Sequence, residues 1–229
     1  MTNGEILSYI DHTLLKMTSS REEIKTLCEE AVQFKTASVC VPPSYVKSIY
    51  DAYGDKLNIC TVIGFPLGYN TAAVKVLETE EALRCGASEI DMVINVGDVK
   101  NGNFEKALDE IKQLKKVCAG SSAARSGQKI LKVIIETCYL TEDEKIRMCG
   151  IVTDAGADYI KTSTGFGTAG ATLADVELFK KNIGPNVKIK AAGGVKTRDD
   201  LEAFIAAGAS RIGTSSAVKL LAGGSASGY

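Results

Sequence analysis

The sequence predicts a single-domain (β/α)8 barrel, an α/β fold of the TIM-barrel type, with an extra N-terminal helical segment. Short β-branched runs alternate with amphipathic stretches along all 229 residues, a pattern typical of parallel β/α units. Eight strands and about eight helices in a chain of this length indicate a compact barrel. A flavodoxin-like open sheet is the structural alternative, although such a sheet normally uses fewer strands.

The strand candidates are short β-branched runs bounded by glycine or polar residues. The first is the weakest, because it contains an aspartate and a histidine. In chain order the predicted strands cover residues 10–14, 37–41, 58–63, 89–93, 130–136, 158–161, 187–190 and 210–213.

Two of the intervening helices carry capping signals. The stretch SREEIKTLCEEAVQF opens with Ser19 or Ser20 and a glutamate three residues later, the spacing of a capping box. The stretch TEDEKIRMCGIVTDAG has Thr141 as its expected N-cap and Gly156 as its closing glycine. No composition shift divides the chain, so we expect one domain over residues 1–229, with a short flexible tail from about residue 222.

A faint repeat supports the barrel. Three helices end in Gly-Ala, two residues pass, and a strand with isoleucine follows: CGASEID, AGADYIK and AGASRIG. The fifth residue after each glycine, Asp91, Lys161 or Gly213, is then expected at the carboxyl end of its strand. Barrel active sites lie at that end of the strands. The repeat therefore predicts that a carboxylate, an amine and a glycine meet at one rim.

Strand alternation predicts which side chains face the barrel interior. Side chains of successive strand residues point to opposite faces, and the apolar members are expected to pack against the outer helices. Charges turned inward are costly unless they are paired or used in chemistry. The predicted inward set is Glu89, Asp91, Lys132, Glu136, Tyr159, Lys161, Lys188 and Lys190.

The composition excludes several classes of partner. Lys+Arg 27 against Asp+Glu 28 give a net charge of −1, so no long-range attraction to nucleic acid or to a membrane is expected. No apolar run reaches the length of a membrane span, and the start lacks the features of a signal peptide. Seven cysteines without a C-x-x-C pair indicate free thiols in a reducing compartment, and we expect a cytoplasmic protein.

The single histidine limits the chemistry. His12 is the only imidazole in the chain, which excludes a multi-histidine metal site and disfavours a metal-dependent aldolase or a histidine-based isomerase. We interpret His12, beside Asp11, as structural. Neither a metal nor another cofactor is expected.

Lys161 and Lys190 are the strongest catalytic candidates. Each ends a predicted strand, and the two strands are consecutive. A lone lysine at this position usually extends its charge into solvent, but two inward ammonium groups repel, and repulsion favours the loss of one proton. A free amine is the nucleophile that Schiff-base chemistry requires. Asp91 fits equally well as a salt-bridge partner of a lysine and as a proton shuttle.

Glycine-rich turns indicate a phosphate site. AAGGVKT, with Gly193 and Gly194, follows the seventh predicted strand, and GTSSAVKLL follows the eighth. Loops at these two places form the usual phosphate site of such barrels, and backbone N–H groups at the start of a helix bind anions. Tight βα turns would also explain the glycines. For GFPLG at residues 64–68, lining the site and turning the chain remain equal alternatives, and Cys40 is interpreted as a buried inert thiol.

Four segments together resemble the deoxyribose-phosphate aldolase family: DYIKTSTGFGTAGAT, VKIKAAGGVKT, EIDMVINVGDVKNG and CTVIGFPLG. The resemblance covers nearly the whole chain, and the first two motifs are highly specific. It implies a class I aldolase without a metal, which reversibly cleaves 2-deoxy-D-ribose 5-phosphate to D-glyceraldehyde 3-phosphate and acetaldehyde.

The resemblance also implies roles for individual residues. Lys161 would form the Schiff base, Lys190 would lower the pKa of the nucleophile and take part in proton transfer, and Asp91 would relay protons. A C-terminal tyrosine, here Tyr229, would move the proton of the enamine carbon. The residues matching the substrate-phosphate loops are Gly165, Gly193, Gly194, Gly213, Thr214, Ser215 and Ser216.

The expected partners are a small phosphorylated sugar and aldehydes, and the family makes a homodimer plausible. Two other functions stay open at this point. Another Schiff-base barrel, such as a transaldolase or a keto-acid aldolase, would share the lysine but use a different donor. A non-catalytic sugar-phosphate-binding barrel would need the glycine loops without the lysine pair.

Overall fold

The barrel is closed and entirely parallel. The computed structural model describes residues 1–120 and 127–221; the predicted tail from residue 222, with Tyr229, lies outside these ranges. Each strand pairs with its chain neighbours, and the last pairs with the first. This order confirms the predicted (β/α)8 fold and excludes the open sheet. The strands are β1 (Ile10–Thr13), β2 (Ser38–Val41), β3 (Ile59–Ile63), β4 (Glu89–Val93), β5 (Ile130–Ile134), β6 (Tyr159–Lys161), β7 (Lys188–Ala192) and β8 (Arg211–Thr214).

The helices lie outside the barrel and connect successive strands. A five-residue helix precedes β1, and two helices follow β4. The helices of the described residues are α1 (Asn3–Leu7), α2 (Arg21–Phe34), α3 (Val46–Tyr53), α4 (Ala72–Arg84), α5 (Val96–Lys100), α6 (Phe104–Gly120), α7 (Glu142–Asp154), α8 (Leu173–Asn182), α9 (Arg198–Ala207) and α10 (Ala217–Leu221).

Local sequence explains where two of these helices begin. Ser20 caps α2 and Thr141 caps α7, each in a reciprocal capping box with a glutamate three residues later. Of the two serines offered by the sequence, the structure selects Ser20. Gly156 follows the end of α7 with φ 70°, the left-handed conformation in which glycine closes a helix.

The structure moves the carboxyl ends of two predicted strands by two residues, whereas no other strand limit shifts by more than one. β5 ends at Ile134 rather than at residue 136, because Glu136 adopts φ 53° and ψ 67°, which no strand accommodates. β7 begins at Lys188 and continues to Ala192. The glycines that follow, Gly193 and Gly194, both have positive φ and end it.

Apolar side chains fill the layer between the strands and the helices. The outward-facing strand residues Ile90, Ile160 and Ile189 are buried in the main hydrophobic cluster together with apolar residues of the helices. The predicted alternation of faces therefore holds for these strands. Lys188 is the exception to the predicted inward set: it is exposed, since as the first residue of β7 it lies at the open amino end of the barrel.

Within the described residues, no helix is long and apolar enough to cross a membrane.

Candidate active site

Asp91 brings the two predicted catalytic lysines together. Its Oδ2 atom lies 2.7 Å from Nζ of Lys161 and 2.6 Å from Nζ of Lys190. All three side chains are buried. The repulsion expected between the two ammonium groups is therefore offset by a carboxylate that both of them contact.

The strand register explains this arrangement. Lys161 and Lys190 are direct partners in the pairing of β6 with β7. Asp91 lies on β4, two strands from β6, and reaches the lysines across the interior. Gly213 of β8 leaves the necessary room, because a Cβ atom there would lie 3.2 Å from Cε of Lys190. Asp91 does not lie at the rim, as predicted, but deeper in the barrel, because β4 continues for two residues beyond it.

A second layer of charges lies beneath these residues. Nζ of Lys132 lies 2.9 Å from Oδ1 of Asp91 and 2.5 Å from Oε2 of Glu89. Arg211 contacts Glu89 and, at 2.5 Å, Oδ1 of Asp11. Oδ2 of Asp11 lies 2.5 Å from Nζ of Lys190, which closes the network. We refer to the following seven residues as the interior charge cluster: Asp11, Glu89, Asp91, Lys132, Lys161, Lys190 and Arg211.

Sequence reasoning missed part of this cluster. It turned Lys132 and Glu89 inward but gave neither a role in the site. Asp11 received no role, although strand alternation places it on the face opposite to that of His12. Arg211 was overlooked, although it lies two residues before Gly213 and therefore on the same face of β8, so the same parity argument would have found it.

The charges in the cluster stabilise one another. Burial alone would raise the pKa of Asp91, but Lys132, Lys161 and Lys190 together hold it well below its ordinary value. Burial would lower the pKa of Lys190, whereas Asp11 and Asp91 raise it above the value of a free lysine. The pKa of Lys132 is raised for the same reason, chiefly by Asp91. Lys190 and Lys132 therefore stay protonated at neutral pH.

Two thiols complete the interior surface. Cys40 of β2 and Cys60 of β3 are fully buried and belong to a small inward-facing cluster. The Cys60 thiol donates to Oδ1 of Asp91 at 3.1 Å. Burial raises the pKa of Cys60. The pKa of Cys40 is lowered, chiefly by a hydrogen bond between the two thiols. Cys40 thus lies against the charge cluster, and the interpretation of it as an inert thiol stays a prediction.

Among the described residues, two groups of side chains have the donor atoms of a metal site: Cys40 with Cys60 and Asp91, and Asp11 with Cys60 and Glu89. The carboxylates of both groups already contact lysine ammonium groups. A divalent cation at either place would have to compete with those fixed positive charges, so the donor sets do not fit a metal well.

The glycine loops after β6 and β7 pack against each other. A Cβ atom on Gly170 would lie 2.5 Å from the carbonyl carbon of Gly193, and one on Gly193 would lie 3.7 Å from Cα of Gly165. Gly165, Gly193 and Gly194 all have positive φ. Side chains are thus excluded where the two backbones meet, which leaves backbone groups lining this part of the rim.

The turn after β8 is ordered by its own hydroxyls. The backbone N–H of Ser216 donates to Oγ1 of Thr214 at 3.2 Å, and the two hydroxyl oxygens lie 3.1 Å apart. Ser215 lies between them and is half-buried. Gly213, by contrast, faces the interior beside Lys190, so its position is explained by space for that lysine.

Beside the loop that follows β6, the rings of Tyr139 and Phe166 help to line a cavity of about 310 Å³. The rings of Phe65 and Phe166 meet edge to face with centroids 5.3 Å apart. Phe65 belongs to GFPLG, and the next two residues of this segment, Pro66 and Leu67, line the cavity, so the segment lies at the mouth. A larger cavity of about 670 Å³ lies between α2 and α3 and contains no residue of the interior charge cluster.

His12 lies outside the cluster. Its Nε2 atom lies 2.7 Å from Oε2 of Glu30 on α2. The imidazole therefore joins β1 to an outer helix, as the structural interpretation of His12 expects.

The chain is similar to known aldolases over its whole length. Residues 6–228 match a family described as DeoC/LacD family aldolase. The deoxyribose-phosphate aldolase of Clostridium botulinum (strain Alaska E43 / Type E3) is 59% identical over 229 residues, 100% of both chains. That of Clostridioides difficile (strain 630) is 57% identical over 216 residues, 94% of this chain and 95% of that one. The solved tetrameric deoxyribose phosphate aldolase of Aeropyrum pernix superposes with a TM-score of 0.87 at 30% identity, covering 96% of this chain and 91% of that chain.

Proposed function

This chain belongs to the DeoC/LacD family of aldolases, and we propose that it reversibly cleaves 2-deoxy-D-ribose 5-phosphate to D-glyceraldehyde 3-phosphate and acetaldehyde through a Schiff base on Lys161. The observation that carries the proposal is the pair of lysine Nζ atoms on one oxygen of Asp91, at 2.7 and 2.6 Å. Binding of a sugar phosphate alone does not require two buried amines and a carboxylate.

The neutral amine of Lys161 attacks C1 of the open-chain sugar, and loss of water leaves an iminium ion. A base removes the proton of the C3 hydroxyl, the C2–C3 bond breaks, and its electron pair passes to the iminium nitrogen. Glyceraldehyde 3-phosphate leaves as the new aldehyde, while C1 and C2 remain on Lys161 as an enamine. Protonation of C2 and addition of water release acetaldehyde and restore the amine.

The surrounding charges suit these steps. Lys190 stays protonated because Asp11 and Asp91 contact it, so a fixed positive charge adjoins the proposed nucleophile Lys161. Asp91 bridges the two lysines and is suited to pass a proton between them. We assign the protonation of C2 to Tyr229, which lies outside the described residues.

The phosphate is proposed to bind at the loops after β6, β7 and β8. Residues Gly165, Gly193 and Gly194 keep that surface free of side chains, and the Thr214–Ser216 turn offers hydroxyl and N–H donors. The cavity of about 310 Å³ is lined by Thr164 and Gly167, which lie on either side of Gly165 in the sequence, so it adjoins the first of these loops.

We further propose one domain over the whole chain, a homodimer and a cytoplasmic location. All seven cysteines are free, which suits a reducing compartment. The tetramer found for the Aeropyrum pernix protein makes mass measurement by light scattering the direct test of assembly.

Borohydride trapping with acetaldehyde tests the mechanism. The expected product is a single reductively added ethyl group on Lys161, located by peptide mass spectrometry. Lys161→Met abolishes it, while Lys188→Met, which changes an exposed lysine of the adjacent strand, leaves it intact. Folded wild type without an adduct would overturn the mechanism and favour the binding barrel. An ethyl group on Lys190 would exchange the roles of the two lysines.

A substrate panel separates this function from that of another Schiff-base barrel. Acceptance of acetaldehyde as the donor supports the proposal. Turnover only with a keto acid or a ketose donor would assign the chain to a keto-acid aldolase or a transaldolase.

A further inference from the structure

The mechanism leaves one buried carboxylate at the mouth unused. Glu136 follows β5 and is 4% exposed. In the described part of the chain, only Lys35 and Glu136 combine a side chain with a positive φ. Lys35 closes helix α2, a common place for this conformation. Glu136 follows a strand, and a strained backbone at such a place requires contacts that hold it there.

The contacts come from the loop that follows Lys161. The backbone N–H of Thr164 donates to the Glu136 carboxylate, at 3.1 Å to Oε1 and 3.3 Å to Oε2. The hydroxyl of Thr164 donates to Oε2 and accepts from the N–H of Phe166 at 3.0 Å. One carboxylate thus fixes Thr164 directly and Phe166 through it.

The backbone conformation aims the carboxylate at this loop. On either side of Glu136, the N–H of Ile135 donates to the carbonyl of Lys161 at 3.1 Å and the N–H of Thr137 to that of Thr162 at 2.9 Å. The segment therefore continues the pairing of β5 with β6. The left-handed conformation at Glu136 turns its side chain across that pairing to Thr164.

The surroundings leave little space for a different arrangement. A Cβ atom on Gly167 would lie 2.8 Å from Sγ of Cys138 and 3.3 Å from Cδ of Glu136. Burial raises the pKa of Glu136, and the two bonds from Thr164 and the charge of Lys161 offset this only in part. An ionised carboxylate is the better acceptor for both donors of Thr164.

We propose that Glu136 is a positioning residue that fixes the loop from Thr162 to Phe166 and thereby presents Gly165 to the phosphorylated substrate. The inference rests on the proposed function, in which Gly165 belongs to the phosphate site. Lys161 itself lies in β6 and is held by strand pairing. Loss of the Glu136 carboxylate therefore weakens substrate binding more than it weakens Schiff-base formation.

Two variants of Glu136 separate the carboxylate from the backbone. Glu136→Gln keeps the length of the side chain but turns an NH2 group towards one of the two donors of Thr164. Glu136→Asn suits a positive φ but is too short to reach the loop. The matched control is Glu105→Gln, which changes an exposed carboxylate on the first turn of α6.

With 2-deoxy-D-ribose 5-phosphate, both variants are expected to raise KM by about tenfold or more, the loss expected for a charge-assisted hydrogen bond. The rate of reductive trapping of acetaldehyde on Lys161 stays within about twofold of wild type. Thr164→Val removes the hydroxyl contact, so its effect on KM is less than additive with that of Glu136→Gln.

Amide hydrogen exchange of the peptide over residues 162–168 supplies a readout without substrate. Exchange is expected to be faster in Glu136→Gln and unchanged in Glu105→Gln. An unchanged KM in Glu136→Gln, or a parallel fall of kcat and trapping at constant KM, would overturn the positioning role. Absence of a trapped adduct in wild type would instead refute the proposed function. The exchange measurement needs no substrate, so it tests the contact between Glu136 and the loop independently of that function.

Discussion

Asp91→Asn is the sharpest test of the interior charge cluster. Asp91 is fully buried, and its carboxylate contacts Lys190, Lys161 and Lys132 at 2.6, 2.7 and 2.9 Å. Asparagine keeps the shape and removes the negative charge. The substitution therefore leaves the packing nearly unchanged and perturbs the electrostatics.

Proton release limits the cost of this change. At an effective dielectric constant of about 20, each contact near 2.7 Å is worth about 6 kcal/mol before desolvation. Neutralising a lysine of ordinary pKa at pH 7 costs only about 4.6 kcal/mol. The variant is thus expected to release one proton from the cluster, and its free energy of unfolding at pH 7 falls by about 3–5 kcal/mol, the usual range for breaking a buried pair.

The pH dependence follows from the same argument. The pKa of Asp91 is lowered in the folded protein, so its contribution to stability is present above the ordinary pKa and disappears as the pH falls through the low folded value. Above pH 7 the free energy needed to remove this proton from a lysine of the variant falls by about 1.4 kcal/mol per pH unit. The difference in stability between wild type and Asp91→Asn is therefore expected to shrink by about 3 kcal/mol between pH 7 and pH 9.

Urea unfolding at both pH values measures this difference. Circular dichroism is the suitable signal, because the chain contains no tryptophan. Asp154→Asn is the matched control, since Asp154 is exposed at the end of α7, and it should lie within about 0.5 kcal/mol of wild type at both pH values. A loss below about 1 kcal/mol at pH 7, or an equal loss at pH 9, would refute the charge-coupling argument.

Three further outcomes are expected. Lys190→Met lowers kcat by about a hundredfold or more by removing the proton-transfer partner, while trapping, though slower, still labels Lys161. Lys132→Met leaves its buried carboxylate partners short of a cation, so urea unfolding at pH 7 shows a loss of about 3–5 kcal/mol. Gly170→Ala places a Cβ atom 2.5 Å from the carbonyl carbon of Gly193, so KM for the phosphorylated sugar rises while trapping of acetaldehyde persists. Its control, Gly150→Ala, meets no atom within 4 Å, and both constants stay at the wild-type values.

The sequence was sufficient for the fold and for the centre of the site because both depend on short-range patterns. β-branched runs located the strands, and alternation turned Asp91 and Lys161 inward. Alternation gives the face of a side chain but not its depth along the barrel, which is why Lys188 was wrongly placed inside. Glu136 was wrongly predicted to lie in a strand. Its left-handed conformation depends on a contact with Thr164, 28 residues away, and no local sequence pattern encodes that contact.

The charge cluster also distinguishes Lys161, the proposed nucleophile, from the other two lysines. The cluster holds four basic groups and three carboxylates, so one neutral amine balances it. Arg211 keeps its charge at any accessible pH. Lys190 contacts two carboxylates, those of Asp11 and Asp91. Lys132 contacts those of Glu89 and Asp91, and its Nζ atom lies 3.6 Å from Oδ2 of Asp11. Lys161 contacts a single carboxylate, one it shares with both other lysines. Lys161 therefore has the fewest ionic contacts of the three lysines, and it lies at the carboxyl end of β6, the end of a barrel at which active sites lie.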